Sequence, residues 1–248
     1  MANRSSNNVS VIDGTTFEKV TTIAVTGPQG VAVDVVNNQV WVANLSSANV
    51  SVIDASTYAK VTTIAVGSRP QGVAVDAANN QVWVTNLDSN NVSVIDGSTY
   101  AKVTTIAVGS RPLGVAVDTA NNQVWVVNLD SNNVSVIDAS SYAKVTTIAV
   151  GSGPEGVAVD AANNQVWVTN SSSNNVSVID GSSYAKVTTI AVGTQPFGVA
   201  VDAANNQVWV TNYSSSNVSV MDGSTYAKVT TIEVGTGPLG VAVNPPSL

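Results

Sequence analysis

Short apolar runs separated by polar turns recur along the whole chain. Within residues 72–113 four such runs follow one another: GVAV, QVWV, NVSVI and KVTTIAV. They are rich in Val, Ile, Thr and Trp, and Asn, Asp, Ser, Gly and Pro separate them, which predicts four short β-strands. Successive apolar positions in VAV and VWV predict inner strands that are buried on both faces. The mixed run VTTIAV predicts an outer strand.

The whole chain repeats this unit, and no segment has helical periodicity. The motif GVAV begins every 42 residues, at Gly30, Gly72, Gly114, Gly156, Gly198 and Gly240. Residues 72–113 and 114–155 are identical at 36 of 42 positions. Such internal identity indicates recent duplication or deliberate design.

Four strands per unit and six units predict an all-β fold, a six-bladed β-propeller of four-stranded antiparallel blades. We expect a single domain over residues 1–248. Its repeats are 30–71, 72–113, 114–155, 156–197 and 198–239, and a closing blade combines 240–248 with 1–29. N- and C-terminal strands thus close the sixth blade. Because the N-terminus keeps only part of a second strand, we expect that blade to be three-stranded or frayed.

The residues also resemble a known family. The sequence WVTN at Trp83–Asn86 follows GVAVD and precedes NVSVID and a Gly-x-x-Pro-x-Gly turn. This pattern resembles the YVTN-type β-propeller repeat, with Trp in place of Tyr, and it covers essentially the whole chain. The resemblance implies a propeller scaffold, often in secreted or surface-associated bacterial proteins with varied binding roles. The near-identical copies differ from natural members and suggest recent amplification or an engineered symmetric propeller.

Composition narrows the function classes. The net charge is −7 and the cations are scattered, which argues against a nucleic-acid partner because phosphate binding needs a concentrated basic face. The chain has no Cys and no His, so it lacks thiolate ligands and the commonest general base. We therefore expect no enzyme. A lyase or hydrolase like some family relatives is the weakest alternative.

Localisation is open from the sequence. No run approaches 18 apolar residues, and the N-terminus has no apolar leader region. We expect no membrane span, and either a bacterial cytoplasmic location or secretion after a leader is trimmed. We also expect a monomer, with dimerisation through the incomplete sixth blade as the alternative.

The copies differ mainly at two connections, the fourth-to-first and the second-to-third, which a meander places at one mouth of the propeller. The candidate ligand-binding residues there are Arg69, Arg111, Glu155, Phe197, Tyr213, Leu87 and Leu129. In one interpretation they form an asymmetric surface for a small ligand, glycan, peptide or protein, and exposed leucines favour such contact. In the other, loop tips have drifted because they touch nothing, and the protein is a scaffold only.

A ring of carboxylates is predicted at the opposite mouth, where each first strand ends. Its members are Asp34, Asp76, Asp118, Asp160 and Asp202, completed by Asn244. Carboxylates converging there would hold a channel-bound cation, whereas Asp before Ala-Ala-Asn-Asn is also a good Asx turn. We expect no other cofactor. The repeated tryptophans are expected to pack between blades, with each indole N–H bonded to a backbone acceptor.

Overall fold

The structure, a computed structural model, describes residues 1–243 and is built almost wholly of β-strands. They form six antiparallel sheets, five with four strands and one with three. Over these residues the only helical segment is one 3-10 turn, Arg4–Ser6. The predicted all-β fold of six propeller blades is confirmed. Within the same range, no helix has the length and apolarity that crossing a bilayer requires.

The strands follow the four runs of the repeat. Their bounds, sheet by sheet, are β1 Ala2–Asn3, β2 Asn8–Ile12 and β3 Lys19–Ala24; β4 Pro28–Asp34, β5 Gln39–Asn44, β6 Asn49–Asp54 and β7 Lys60–Ala65; β8 Pro70–Asp76, β9 Gln81–Asn86, β10 Asn91–Asp96 and β11 Lys102–Ala107; β12 Pro112–Asp118, β13 Gln123–Asn128, β14 Asn133–Asp138 and β15 Lys144–Ala149; β16 Pro154–Asp160, β17 Gln165–Asn170, β18 Asn175–Asp180 and β19 Lys186–Ala191; β20 Pro196–Asp202, β21 Gln207–Asn212, β22 Asn217–Asp222 and β23 Lys228–Glu233. Each four-stranded sheet keeps chain order.

The first sheet has three strands, as expected for the sixth blade. Its strand β1 is only two residues long and pairs with β2 through Ala2↔Val9 and Asn3↔Asn8. The strand expected to close this blade starts at Gly240, and residues 240–243 are not in a strand. The rest of the predicted closing segment, including Asn244, lies outside the described residues. The strand count is consistent with the predicted closure.

The chain divides into two compact units, Met1–Val117 with Ala139–Ala143, and Asp118–Asp138 with Lys144–Leu248. In the first unit Trp41 packs with Val82 and Ile95 of the next sheet. In the second unit Trp167 packs in the same way with Met221. The single-domain assignment of residues 1–248 stays a prediction.

The tryptophans pack between sheets as predicted, but their hydrogen bonding differs from the prediction. The ring of Trp41 is fully buried and lies 6.1 Å from that of Tyr100 in the next sheet. The Tyr100 hydroxyl accepts a hydrogen bond from Gln39 Nε2 at 2.8 Å. The expectation of a backbone acceptor for each indole was wrong, because packing between two apolar faces leaves no such acceptor. The indole nitrogens without a partner are those of Trp41, Trp83, Trp125, Trp167 and Trp209.

The turn between third and fourth strands is closed by an aspartate at the strand end. In the turn after β10, Asp96 Oδ1 accepts from the Thr99 N–H at 2.7 Å, the Thr99 hydroxyl at 2.9 Å and the Ser98 N–H at 3.0 Å. The Thr99 N–H is the main reason that the pKa of Asp96 is lowered from its ordinary value. Tyr100 then adopts φ 63°, which turns the chain into β11.

The first strands of neighbouring sheets approach closely through a glycine. The Gly72 N–H donates to Thr85 Oγ1 at 2.8 Å, and this hydroxyl donates to Leu113 O at 2.6 Å. A Cβ at Gly72 would lie 2.5 Å from Leu113 O. The same arrangement joins Gly156, Thr169 and Phe197 in the second unit. The main chains of two neighbouring first strands are therefore in close contact at the glycine of the repeat.

Candidate functional site

The turns that carry the divergent residues are held in a fixed shape. In each fourth-to-first turn, the residue before the proline has positive φ, from 52° at Arg69 to 67° at Gly237. In most copies an Asn from the facing second-to-third turn supports it. Asn90 Oδ1 accepts the Arg111 N–H, and Asn174 Oδ1 accepts the Gln195 N–H, both at 2.9 Å. The side chains of these turns are therefore presented from an ordered backbone.

Two copies lack this Asn, and one of them leads to a stability prediction. Ala48 stands where four copies have Asn and the last has Ser216, and it also has positive φ, 50°. Ala48→Asn supplies a residue that tolerates this conformation and a carbonyl for the Arg69 N–H. We expect a gain of about 1 kcal/mol in the free energy of unfolding, measured by urea denaturation.

The matched control is Ala59→Asn, at an exposed position in the turn between β6 and β7. Ala59 does not have positive φ. We expect no gain there, because neither effect operates at that site. Equal gains from the two substitutions would contradict the argument.

In the second unit, divergent residues of three consecutive repeats meet around one concavity, which we call the variable groove. Its volume is about 320 Å³, and its lining residues are Glu155, Ser171, Gln195, Phe197, Tyr213 and Leu239. Tyr213 is 45% exposed and Leu239 is 50% exposed, while Phe197 is half-buried. The groove thus presents aromatic and aliphatic surface to solvent.

The groove side chains are positioned by contacts with the turns. The ring of Tyr213 lies over Gly237, where an added Cβ would meet its Cε2 at 3.1 Å. The Tyr213 N–H donates to Gln195 O at 2.9 Å. Phe197 O accepts from the Thr169 hydroxyl at 2.7 Å, which fixes the backbone under the ring. Both aromatic rings are therefore anchored through their own main chain.

Polar groups flank the aromatic surface. The Ser171 hydroxyl lies 2.9 Å from Gly153 O and 3.3 Å from Glu155 Oε1, so it donates to one or the other. The Ser214 hydroxyl donates to Gln195 Oε1. Carboxylate and amide oxygens thus lie at the edges of the apolar surface, where they accept hydrogen bonds.

A second cavity adjoins the variable groove and shares Glu155 and Ser171 with it. Its volume is about 470 Å³, and Leu129 and Asp130 line its far side. The walls also include Ser152 and Ser172, so this cavity is more polar than the groove. Together the two cavities make an extended surface along the divergent turns of the second unit.

The structure brings four of the predicted ligand-binding residues to this surface, namely Glu155, Phe197 and Tyr213 in the groove and Leu129 beside it. The other three, Arg69, Arg111 and Leu87, belong to the first unit. Their assignment to a ligand site stays a prediction.

The local contacts of the first-unit residues modify what was expected of them. Arg69 makes an ion pair with Asp88 at 3.5 Å, and both side chains are 46% exposed, so the pair stabilises little. The expectation that the loop leucines are exposed was wrong for Leu87, which is 1% exposed, and for Leu45, which is also buried. Both leucines turn inward and fill the core, whereas Leu129 at the same position is half-buried.

Three residues of the groove were not among the predicted ligand-binding residues: Ser171, Gln195 and Leu239. Ser171 and Gln195 differ from all their counterparts, so divergence alone could have flagged them, whereas Leu239 is the same residue as Leu113. Their convergence depends on the three-dimensional path of three separate turns.

The predicted carboxylate ring is built into turns. Asp76 Oδ1 accepts the Asn79 N–H at 3.1 Å, and Oδ2 accepts from Asn79 Nδ2 at 2.8 Å. The same pattern occurs at Asp34, Asp118, Asp160 and Asp202. Within residues 1–243, no group of three or more His, Cys, Asp or Glu side chains could hold a metal ion. The local turn interpretation accounts for these aspartates, and the cation site has no support from their arrangement.

Comparison with known proteins agrees with the fold. A family model described as the NHL repeat matches residues 152–179. No curated protein matches the chain. Among solved structures, Kuenenia stuttgartiensis hydrazine synthase aligns with a TM-score of 0.88 at 20% identity, over 98% of this chain and 85% of that one.

Two further structures are similar. A functionally unknown protein from Desulfotomaculum acetoxidans DSM 771 has a TM-score of 0.84 at 15% identity, covering 96% of this chain and 80% of that one. The structure of a nidogen/laminin complex gives 0.69 at 16% identity, over 91% and 88% respectively. At these identities the likeness concerns the fold alone.

Proposed function

We propose that this protein is a non-enzymatic binding module that holds an apolar side chain of a peptide or protein in the variable groove. The observation that carries the proposal is the placement of its aromatic residues. Among five Trp, six Tyr and two Phe, only Phe197 and Tyr213 fall outside the repeated Trp and Tyr/Phe positions of the unit. Both line the same groove.

The chemistry of the groove favours binding over catalysis. Exposed aromatic residues that are anchored through their backbone provide large contact area at low entropic cost, and such residues dominate binding energy at interfaces. Glu155 and Gln195 would accept hydrogen bonds from donors of the partner that lie on either side of its apolar side chain. Within residues 1–243, Glu155 is the single carboxylate lining the groove, and the chain has no His or Cys to act beside it.

The likeness to YVTN-type and NHL repeats supports a binding role without identifying the partner. One similar structure is a complex, that of nidogen with laminin. We carry protein binding to this chain only as part of the proposal. The alternative, a scaffold without a ligand, predicts that nothing recognises the groove.

The test is selection of random phage-displayed peptides on the intact protein, followed by calorimetry of the selected peptides with variants. We expect bound peptides with a central apolar residue, and a loss of affinity of about 30-fold on Phe197→Ala or Tyr213→Ala. The control is Gln71→Ala, at the position of the first unit that corresponds to Phe197, and it should leave affinity unchanged. If no peptide is selected, or if the selected peptides bind both groove variants as wild type, the proposal fails.

A further inference from the structure

We propose a second binding site, for a small neutral polyhydroxylated molecule of monosaccharide size, in a cavity of the first unit that a shortened turn opens between β3 and the sheet β4–β7. This turn pocket has a volume of about 290 Å³, and its polar lining includes Asn44, Ser47, Asn49, Ser51, Lys60 and Thr63. Its volume is at the lower end of the range for small-molecule sites. The site is separate from the variable groove and does not depend on the function proposed for it.

The pocket arises from one missing residue. The later turns contain three residues between Val and Pro, as in Gly67–Ser68–Arg69, whereas the first turn has only Thr26 and Gly27. Gly27 takes the place of Arg69, because its carbonyl accepts the Leu45 N–H at 2.9 Å as that of Arg69 accepts the Leu87 N–H at 3.0 Å. The shortening therefore falls where later copies have Gly67 and Ser68.

In the next sheet those two residues supply hydrogen bonds. The Gly67 N–H donates to Asn86 Oδ1 at 3.1 Å, and the Ser68 N–H donates to Ser89 Oγ at 2.8 Å. The counterparts of Asn86 and Ser89 are Asn44 and Ser47, and both line the turn pocket. The shortened turn thus opens space in front of two groups that are hydrogen-bond acceptors elsewhere in the protein.

One of these acceptors is left unsatisfied. Asn44 is 2% exposed, and its Oδ1 has no hydrogen-bond partner. Its Nδ2 is fully used, since it donates to Asn49 Oδ1 at 2.7 Å and to Ser51 Oγ at 2.8 Å. These two bonds fix the amide so that Oδ1 cannot turn away. A buried carbonyl oxygen without a donor costs free energy, and a bound donor recovers it.

Comparison with Asn170 shows that the missing residue accounts for the open space and not for the unsatisfied oxygen. Its Oδ1 also lacks a partner. There, however, Gly151 covers the amide, and a Cβ on this glycine would lie 2.7 Å from Asn170 Cγ. The main chain of the full-length turn fills that space. Among the residues that the structure describes, an unsatisfied oxygen coincides with a shortened turn only at Asn44.

The lining selects the ligand class. The donors that are missing here are neutral N–H groups, and Lys60 contributes a cation that only donates. An amine would bring a second cation beside Lys60, and a carboxylate would leave Asn44 Oδ1 without a donor. Hydroxyl groups both donate and accept, so one polyol can donate to Asn44 Oδ1 and accept from Lys60 Nζ. The hydroxyls of Ser51 and Thr63 offer further partners.

The experiment titrates the ¹⁵N-labelled protein separately with D-glucose, D-galactose, D-mannose, N-acetylglucosamine and glycerol, and follows amide chemical shifts. We expect at least one of these probes to bind with millimolar affinity, with shifts centred on Gly27 and the Asn44 side-chain amide. Lys60→Ala should weaken binding about tenfold, because it removes a charged donor. The matched control Lys102→Ala, one repeat later, should have no effect.

A turn-repair variant gives the decisive comparison. Replacing Thr26 with Gly-Ser recreates the sequence of residues 150–154 and should abolish binding while preserving the fold. The inference is overturned if none of the probes shifts these signals, if a crystal structure soaked with them shows only water at Asn44 Oδ1, or if Lys60→Ala and Lys102→Ala bind alike. Phe197→Ala should leave the titration unchanged, which separates this site from the variable groove.

Discussion

Trp41→Ala is expected to lower the free energy of unfolding by about 3–5 kcal/mol, the cost of truncating a large buried aromatic side chain. Trp41 is fully buried and packs against Val82, Val84 and Ile95 of the next sheet. Its ring also meets that of Tyr100 at an angle of 57°. Truncation therefore leaves a cavity between two sheets, which neither can fill alone. Urea denaturation measures the loss.

Two further substitutions make this result specific. Trp41→Phe should cost less than half as much, since it keeps an aromatic ring and removes an N–H that has no partner. Phe17→Ala should change stability by no more than about 0.5 kcal/mol, because Phe17 is 82% exposed. A loss below about 1 kcal/mol for Trp41→Ala would show that the tryptophans do not hold neighbouring sheets together.

Gly72→Ala is expected to destabilise by about 3 kcal/mol, although it adds only one methyl group. The new Cβ would lie 2.5 Å from Leu113 O and 3.1 Å from Thr85 Oγ1, so the first strands of two sheets would have to separate. Overpacking of this kind usually costs about 1–3 kcal/mol, and here one of the atoms is main chain and cannot turn aside.

The repeat provides a matched control for this substitution. Gly240 occupies the same position of the GVAV motif, but a Cβ there would meet nothing within 4 Å. Gly240→Ala should therefore be nearly neutral in the same denaturation assay. If the two substitutions had equal effects, the cost at Gly72 would not come from the close approach to Leu113.

The fold could be predicted from the sequence because every copy has the same pattern of strand-forming runs and turn residues. Apolar runs such as QVWV and NVSVI became strands at the expected places, and the tryptophans packed between sheets. Hydrogen bonding was harder to predict. The isolation of the Trp41 N–H and the inward turn of Leu87 both depend on the neighbouring sheet, which local sequence does not describe.

The candidate site was only partly predictable for a similar reason. Divergence among copies pointed to Glu155, Phe197 and Tyr213, but it pointed equally to Arg69 and Arg111 in the other unit. Divergence identifies positions that the fold does not constrain, and geometry decides which of them meet. The turn pocket could not be predicted from the sequence. The one-residue difference in turn length becomes informative only when the structure shows that Asn44 Oδ1 has no donor.

The central claim is that positions shared by all copies specify the fold, whereas the divergent residues of the variable groove bind a partner. Exchanging Phe197 and Tyr213 for the residues of the first repeat (30–71), Phe197→Gln with Tyr213→Leu, tests it most directly, with unfolding and peptide affinity measured on the same protein. We predict that the free energy of unfolding changes by no more than about 1 kcal/mol while affinity for the selected peptide falls at least about 30-fold. Unchanged affinity in a folded variant would contradict the claim.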